Sequence, residues 1–350
     1  MIVLFLFGTM LAFSARAQEQ DVRKPADAPA IPPTHANVKY VPHDRNLMDV
    51  WLARSDRPTP VLVSIHGGAF RHGDKSVNSG VLREYVASGI SVVAITYHFS
   101  EKAIAPAQHL DAARAIQFMR QMAKEWHLDP SRIAATGGSA GAGMSLWLGF
   151  HDDLADPENK DPVLRQSTRL TCMAVYNGQS SYDPRFIRDL FPGTDTYRIS
   201  ALVELFDADP SKLDELPVEK YRLFEEIPAI HHPSKDDAPV LMTNDSDMDT
   251  PISSTSIGIH HPRFGKVLQE KMDTLGIECK VHTGFSRTKA SRSKLVMEFV
   301  KRHFGSAKSD VQRRWTGNVL PMASGFSAVC QSAGQFGAGI HCTGIHCTAT

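Results

Sequence analysis

Along the middle of the chain, short apolar runs bounded by Pro, Gly or charged turns alternate with stretches in which apolar residues return every three or four positions. The runs 60–65, 90–97, 133–136, 170–176, 239–243 and 277–283 predict buried strands, and 38–41 with 47–53 predict two shorter strands joined by a turn at His43-Asp44-Arg45-Asn46. Helix spacing covers 81–88, 106–127, 140–150, 262–275 and 293–304. In the second of these, Leu110, Ala113, Ile116 and Met119 recur at helical intervals, and Asp111 falls where a first-turn carboxylate suits the helix dipole. Strands that are apolar throughout, separated by helices, imply a mainly parallel central sheet with helices on both faces, an α/β architecture.

The pattern holds over 35–305, which reads as one domain. Within it, 152–238 reads as an insertion over the sheet edge: a charged, loop-like stretch to Arg169, a strand, then helical patches broken by Pro192, Pro210, Pro217 and Pro228. At the N-terminus an apolar run too short to span a membrane ends in Ala15-Arg16-Ala17, which predicts a signal peptide over 1–17 and export to the periplasm or beyond. No Cys follows to carry a lipid anchor, and the Pro-rich stretch 18–34 reads as a linker. Beyond Gly305 the periodicity stops, and the immediate repeat of Gly339-Ile-His-Cys-Thr343 reads as a disordered tail (306–350) rather than a metal site. Of the five Cys, Cys172 and Cys279 lie in apolar strands and are expected to be buried thiols; no spacing matches a structural zinc site. Equal numbers of basic and acidic residues, 38 each, argue against a nucleic-acid partner.

Two motifs carry chemistry. Gly137-Gly138-Ser139-Ala140-Gly141 fits G-x-S-x-G, with a predicted strand before it and a predicted helix after it. Such a turn admits only small residues beside the serine, lifts the hydroxyl above the carboxyl ends of the strands, and sets it at the positive end of the next helix. His66-Gly67-Gly68-Ala69-Phe70 follows directly on the strand 60–65. Its small residues let backbone N–H groups turn inward, so Gly68 and Ala69, with Ala140, are the candidate donors to an oxyanion. His66 reads as a structural residue that holds the loop.

On these residues the chain resembles the bacterial α/β-hydrolase esterases with a His-Gly-Gly oxyanion loop, relatives of hormone-sensitive lipase and of acetylxylan and feruloyl esterases. The resemblance runs from about Val38 to Phe304. It implies the α/β-hydrolase fold, no cofactor, and a small-molecule ester substrate, often an acylated carbohydrate.

It also implies the chain order Ser, acid, His. The acid belongs just after the strand 239–243, in Asn244-Asp-Ser-Asp-Met-Asp-Thr250. The family's Asp would fall near Met248, which leaves Asp247 and Asp249 as candidates, Asp247 preferred, against a merely solvated acidic turn. The His belongs between the last strand and the closing helix, but that loop, 283–293, contains none. His282 at the strand's end is the first choice, although alternation sets it with Lys280 and Glu278 on a polar face. His260 and His261 are the alternative bases, and His303 lies too far along the closing helix.

The function expected is therefore a serine carboxylic ester hydrolase that forms an acyl-enzyme on Ser139. The missing loop His keeps open a catalytically impaired, ligand-binding relative. A serine exopeptidase is the weaker third reading, since no propeller-like repeats precede the domain.

Overall fold

Eight strands form one sheet in the computed structural model, which describes residues 31–213, 215, 217–287 and 291–314. The strands are β1 (His35–Lys39), β2 (Leu47–Trp51), β3 (Thr59–Ile65), β4 (Ser91–Ile95), β5 (Leu128–Gly138), β6 (Cys172–Tyr176), β7 (Val240–Thr243) and β8 (Cys279–His282). Their order is β1-β2-β4-β3-β5-β6-β7-β8; the pairs β1/β2 and β2/β4 are antiparallel and the rest parallel. This is the α/β-hydrolase arrangement that the resemblance implies.

Alternation along the strands decides the layers. Val61, Val63, Ile65, Val93 and Ile95 point to one core, while Leu62, Val92, Ala94, Ala134 and Cys172 point to the other. Helices α1 (Ser79–Ala87) and α9 (Arg292–Arg314) cover the second face, with Leu82, Tyr85, Phe299 and Val300 buried against it. The first face carries α2 (Ala107–Gln121), α3 (Ala140–Phe150) and α8 (Arg263–Leu275). Between β6 and β7 lie α4 (Pro184–Leu190), α5 (Ser200–Leu205) and α6 (Val218–Glu226), whose Ile187, Leu205 and Phe224 join that core. With both faces covered, the paired middles of the central strands are largely apolar on both sides. Cys172 and Cys279 are buried free thiols, as expected.

The parallel register sets up the functional edge. Ile65 pairs with Gly137, Gly138 with Tyr176, Tyr176 with Thr243, and Thr243 with His282, so β3, β5, β6, β7 and β8 end nearly level. The loops leaving these strands therefore meet on one rim of the sheet.

Several expectations shift: the helix expected over 106–127 ends at Gln121, and the strand expected over 133–136 runs Leu128–Gly138. The first strand is 35–39 rather than 38–41: it is an edge strand, half exposed and polar on one side, so its apolar signal was faint. Asp111 is not a first-turn dipole partner. Helix α2 begins at Ala107, and Asp111, one turn on, accepts the backbone N–H of His98 at 2.9 Å and bonds its Nδ1 at 2.7 Å. Helix α9 continues past Gly305 to Arg314. The expected signal peptide, residues 18–30 of the linker and the repeat-bearing segment 315–350 lie outside the described residues.

Candidate active site

Ser139 sits between β5 and α3 with φ 51° and ψ −118°, a strained left-handed backbone for a residue with a Cβ. Close packing holds it there. A Cβ on Gly141 would lie 2.1 Å from the Ile65 carbonyl oxygen, so only glycine lets the first turn of α3 press against the end of β3. The Ser139 N–H donates to the Tyr176 carbonyl at 3.1 Å, which ties the turn to β6.

The loop after β3 lies against this turn. A Cβ on Gly67 would fall 3.7 Å from the Cβ of Ser139. Gly68, Ala69 and Phe70 follow with φ of 103°, 56° and 61°, three successive left-handed residues that curl the chain sharply at this rim. Arg71 and His72 both return their N–H groups to the Gly68 carbonyl. Among the described residues the N–H groups of Gly68 and Ala69 donate to no backbone carbonyl, and Ala140 is the first residue of α3, so all three are unspent in the secondary structure. His66 is structural, as its sequence context suggested. Its Nδ1 bonds the Gly67 carbonyl at 2.7 Å, its ring stacks on Tyr97 at 4.2 Å, and burial lowers its pKa to about 4.

The histidine at Ser139 is His260. Its Nε2 lies 2.9 Å from the Ser139 Oγ, and its Nδ1 lies 2.9 Å from the Ser256 main-chain carbonyl. A carbonyl only accepts, so Nδ1 carries the proton and Nε2 presents its lone pair to the serine hydroxyl. His260 caps the short helix α7 (Thr255–Ile259), which lies between β7 and α8. Half-buried, it has its pKa lowered by burial, with the Ser256 carbonyl and the charge of Asp245 pulling part of the way back.

His282 is corrected. It is exposed at the end of β8, and its side chain makes no hydrogen bond among the described residues; alternation along β8 turns it to the polar face. His261 is buried in a structural role, with Nε2 on the Thr250 carbonyl at 3.2 Å and Nδ1 accepting the Arg263 N–H at 3.2 Å. Among the described residues neither candidate acid is hydrogen-bonded to His260, whose Nδ1 is taken by Ser256. Asp249 is exposed. Asp247 accepts Arg287 Nη1 at 2.8 Å and faces the Thr283 hydroxyl at 3.5 Å, both in the loop after β8. Sequence reasoning passed over Asp245, whose carboxylate accepts Asn177 Nδ2 at 2.7 Å and is paired with Arg292. Burial works to raise its pKa, but those two partners outweigh it and hold the carboxyl below the usual range. The one available signal was the four-residue step from Ser256 to His260, the spacing at which a helix returns to its own face.

The nucleophile turn, the donor loop and a paired histidine thus share one rim. Residues 48–256, well over half of the chain, match the sequence profile of the BD-FAE family. The chain belongs to the BD-FAE family. Among curated relatives, it is 34% identical over 136 residues to "Esterase LipQ" of Mycobacterium tuberculosis, a match covering 37% of this chain and 30% of that protein. It is 35% identical over 148 residues to "Probable carboxylic ester hydrolase LipM" of the same organism, covering 41% and 34%. The matches thus span about a third of those relatives' length. Among solved structures, a truncated carbohydrate esterase from gut microbiota superposes with a TM-score of 0.60 at 20% identity, over 77% of this chain and 96% of that one. An acetyl ester-xyloside bifunctional hydrolase from Caldicellulosiruptor lactoaceticus does so with a TM-score of 0.60 at 19% identity, over 80% and 99%. At those identities the likeness speaks for the fold. Among the described residues of this BD-FAE member, no helix is long and apolar enough to cross a membrane.

Proposed function

We propose that this BD-FAE member is a serine carboxylic ester hydrolase in which Ser139 forms the acyl-enzyme and His260 is the base. One observation carries the proposal: the 2.9 Å contact from the Ser139 Oγ to a His260 Nε2 whose tautomer is set by Ser256. Proton transfer to Nε2 makes the hydroxyl a nucleophile toward the ester carbonyl. The N–H groups of Gly68, Ala69 and Ala140 receive the oxyanion, and His260 then returns its proton to the departing alcohol. A paired histidine at the serine removes the reason for preferring an impaired binding protein.

For substrate we propose a short acyl ester on a carbohydrate, supported by the carbohydrate esterase and acetyl ester-xyloside hydrolase that share the fold. Export, as the N-terminal sequence predicts, belongs to the same proposal and is checked by the N-terminal residue of the mature protein.

The decisive experiment is hydrolysis of p-nitrophenyl acetate, with fluorophosphonate labelling, by the parent, His260→Ala and His282→Ala. The expected result is labelling at Ser139, loss of turnover in His260→Ala, and parent-like turnover in His282→Ala. A parent that neither turns over nor labels sinks the reading.

A further inference from the structure

In a serine triad the third member does three jobs: it selects the imidazole tautomer, orients the ring and stabilises the imidazolium that forms. In this chain the jobs are divided. The helix α7 does the first two. A histidine at a helix end would normally send its backbone N–H back four residues, here to Ser256. Instead the His260 N–H turns to the Gly258 carbonyl, and the ring Nδ1–H takes the Ser256 carbonyl at 2.9 Å. The backbone around the ring is held as well. The Ser254 hydroxyl accepts the Ile257 N–H at 3.2 Å at the start of α7, and Asn244 Nδ2 donates to the His260 carbonyl at 3.3 Å.

The carboxylates divide along the same line. Asp245 is locked to the residue after β6 by a two-way contact with Asn177: Nδ2 donates to its carboxylate at 2.7 Å, and the Asn177 Oδ1 accepts its backbone N–H at 2.9 Å. Arg292 of α9 sits on its other oxygen. Asp245 directly follows Asn244, whose Nδ2 holds the His260 carbonyl, and its negative charge works to raise the pKa of that ring. Asp247 is engaged by the loop after β8. One oxygen takes Arg287, and the other lies 2.3 Å from where a Cβ on Gly284 would stand, at a glycine with φ 75°. Both oxygens of Asp247 thus face the loop after β8, while among the described residues the His260 ring is hydrogen-bonded to the Ser139 Oγ and the Ser256 carbonyl.

We propose that this enzyme works without a carboxylate on the base: the Ser256 carbonyl positions His260, Asp245 is a positioning residue that acts through its charge, and Asp247 is a loop clamp outside the reaction. The inference rests on His260 being the base. A carbonyl keeps the tautomer right but carries no full charge, so the imidazolium gains less support than in a carboxylate triad, and the neighbouring Asp245 field makes up part of the difference.

The test is kcat/KM for p-nitrophenyl acetate as a function of pH, with fluorophosphonate labelling and thermal melts, for the full chain, D247N, D245N and R292Q. D247N is expected to stay within about threefold of the parent with an unmoved acid limb, although a carboxylate that fixes the tautomer costs about 10,000-fold when amidated. D245N moves the acid limb to lower pH, because loss of a negative neighbour makes His260 easier to deprotonate, and R292Q moves it to higher pH. A labelled parent whose D247N variant loses about 1,000-fold or more overturns the inference alone, as do D245N and R292Q limbs that both stay fixed in variants that melt like the parent. If D245N does not fold, D247N and R292Q still decide. A parent that resists the probe overturns the assignment of the base, and this inference with it.

Discussion

The two halves of the catalytic rim are built differently. At the ends of β3 and β5 the geometry is carried by backbone: strained φ values at Ser139, Ala69 and Phe70, and a glycine at 141 through which α3 touches β3. At the ends of β7 and β8 it is carried largely by side chains: a histidine capping a five-residue helix, Asp245 and Asp247 with different partners, and the arginines at 287 and 292. Backbone geometry tolerates almost no variation in residue type, whereas a side-chain network can be redistributed among neighbours. This difference explains why the first half follows the expected pattern and the second departs from it.

The sharpest way to break that comparison is to remove the chemistry from each half. Ser139→Ala should cost at least about 1,000-fold in kcat/KM, His260→Ala a similar amount, and the double variant no more than either alone, since residues that act as a unit are not additive. Additive losses in steady-state kinetics would show that the halves work independently. Next in size is Gly141→Ala. A Cβ placed 2.1 Å from the Ile65 carbonyl forces α3 away from β3 and should destabilise by about 3 kcal/mol, read as a drop in Tm. On the side-chain half, Ser256→Ala should leave both Tm and turnover near parent values, because Ser256 contributes its carbonyl and its side chain is exposed.

The pH profile sharpens the contrast further. Burial lowers the His260 pKa, and the base must be neutral to act, so activity should persist below pH 6.5 before it falls. Stability should respond on the acid side too. His66 and His109 are held neutral by burial, with pKa values of about 4 and about 3. Below pH 6.5 the unfolded chain takes up protons that the folded chain refuses, so stability is complete above about 6.5 and declines as pH falls toward 4. Chemical denaturation at a series of pH values measures this.

The same division sets what was legible in the chain. The sheet, its parallel core and the nucleophile turn could be read because apolar runs and glycine spacing are local signals that map directly onto strands and tight turns. Ser139 and the loop donors at Gly68, Ala69 and Ala140 inherit that legibility. The base was less legible, because the local signals, strand alternation at His282 and the four-residue step from Ser256 to His260, do not say which imidazole reaches Ser139; a short helix brings His260 there and leaves His282 exposed on β8. The acids were harder still. Asp245, Asp247 and Asp249 lie within five residues of one another, and only the third dimension assigns one to Asn177 and Arg292, one to Arg287, and one to solvent.

The four-residue step between Ser256 and His260 also has a bearing on what kinds of variation this segment can absorb. A helix advances about 100° and 1.5 Å per residue. An insertion or deletion between the two positions would therefore swing the imidazole about a quarter-turn away from the serine while leaving every side chain chemically intact. The segment behaves as a spacer of counted length: libraries that scramble exposed Thr255 and Ser256 should be rich in active clones, and libraries that change the number of residues there should be almost barren.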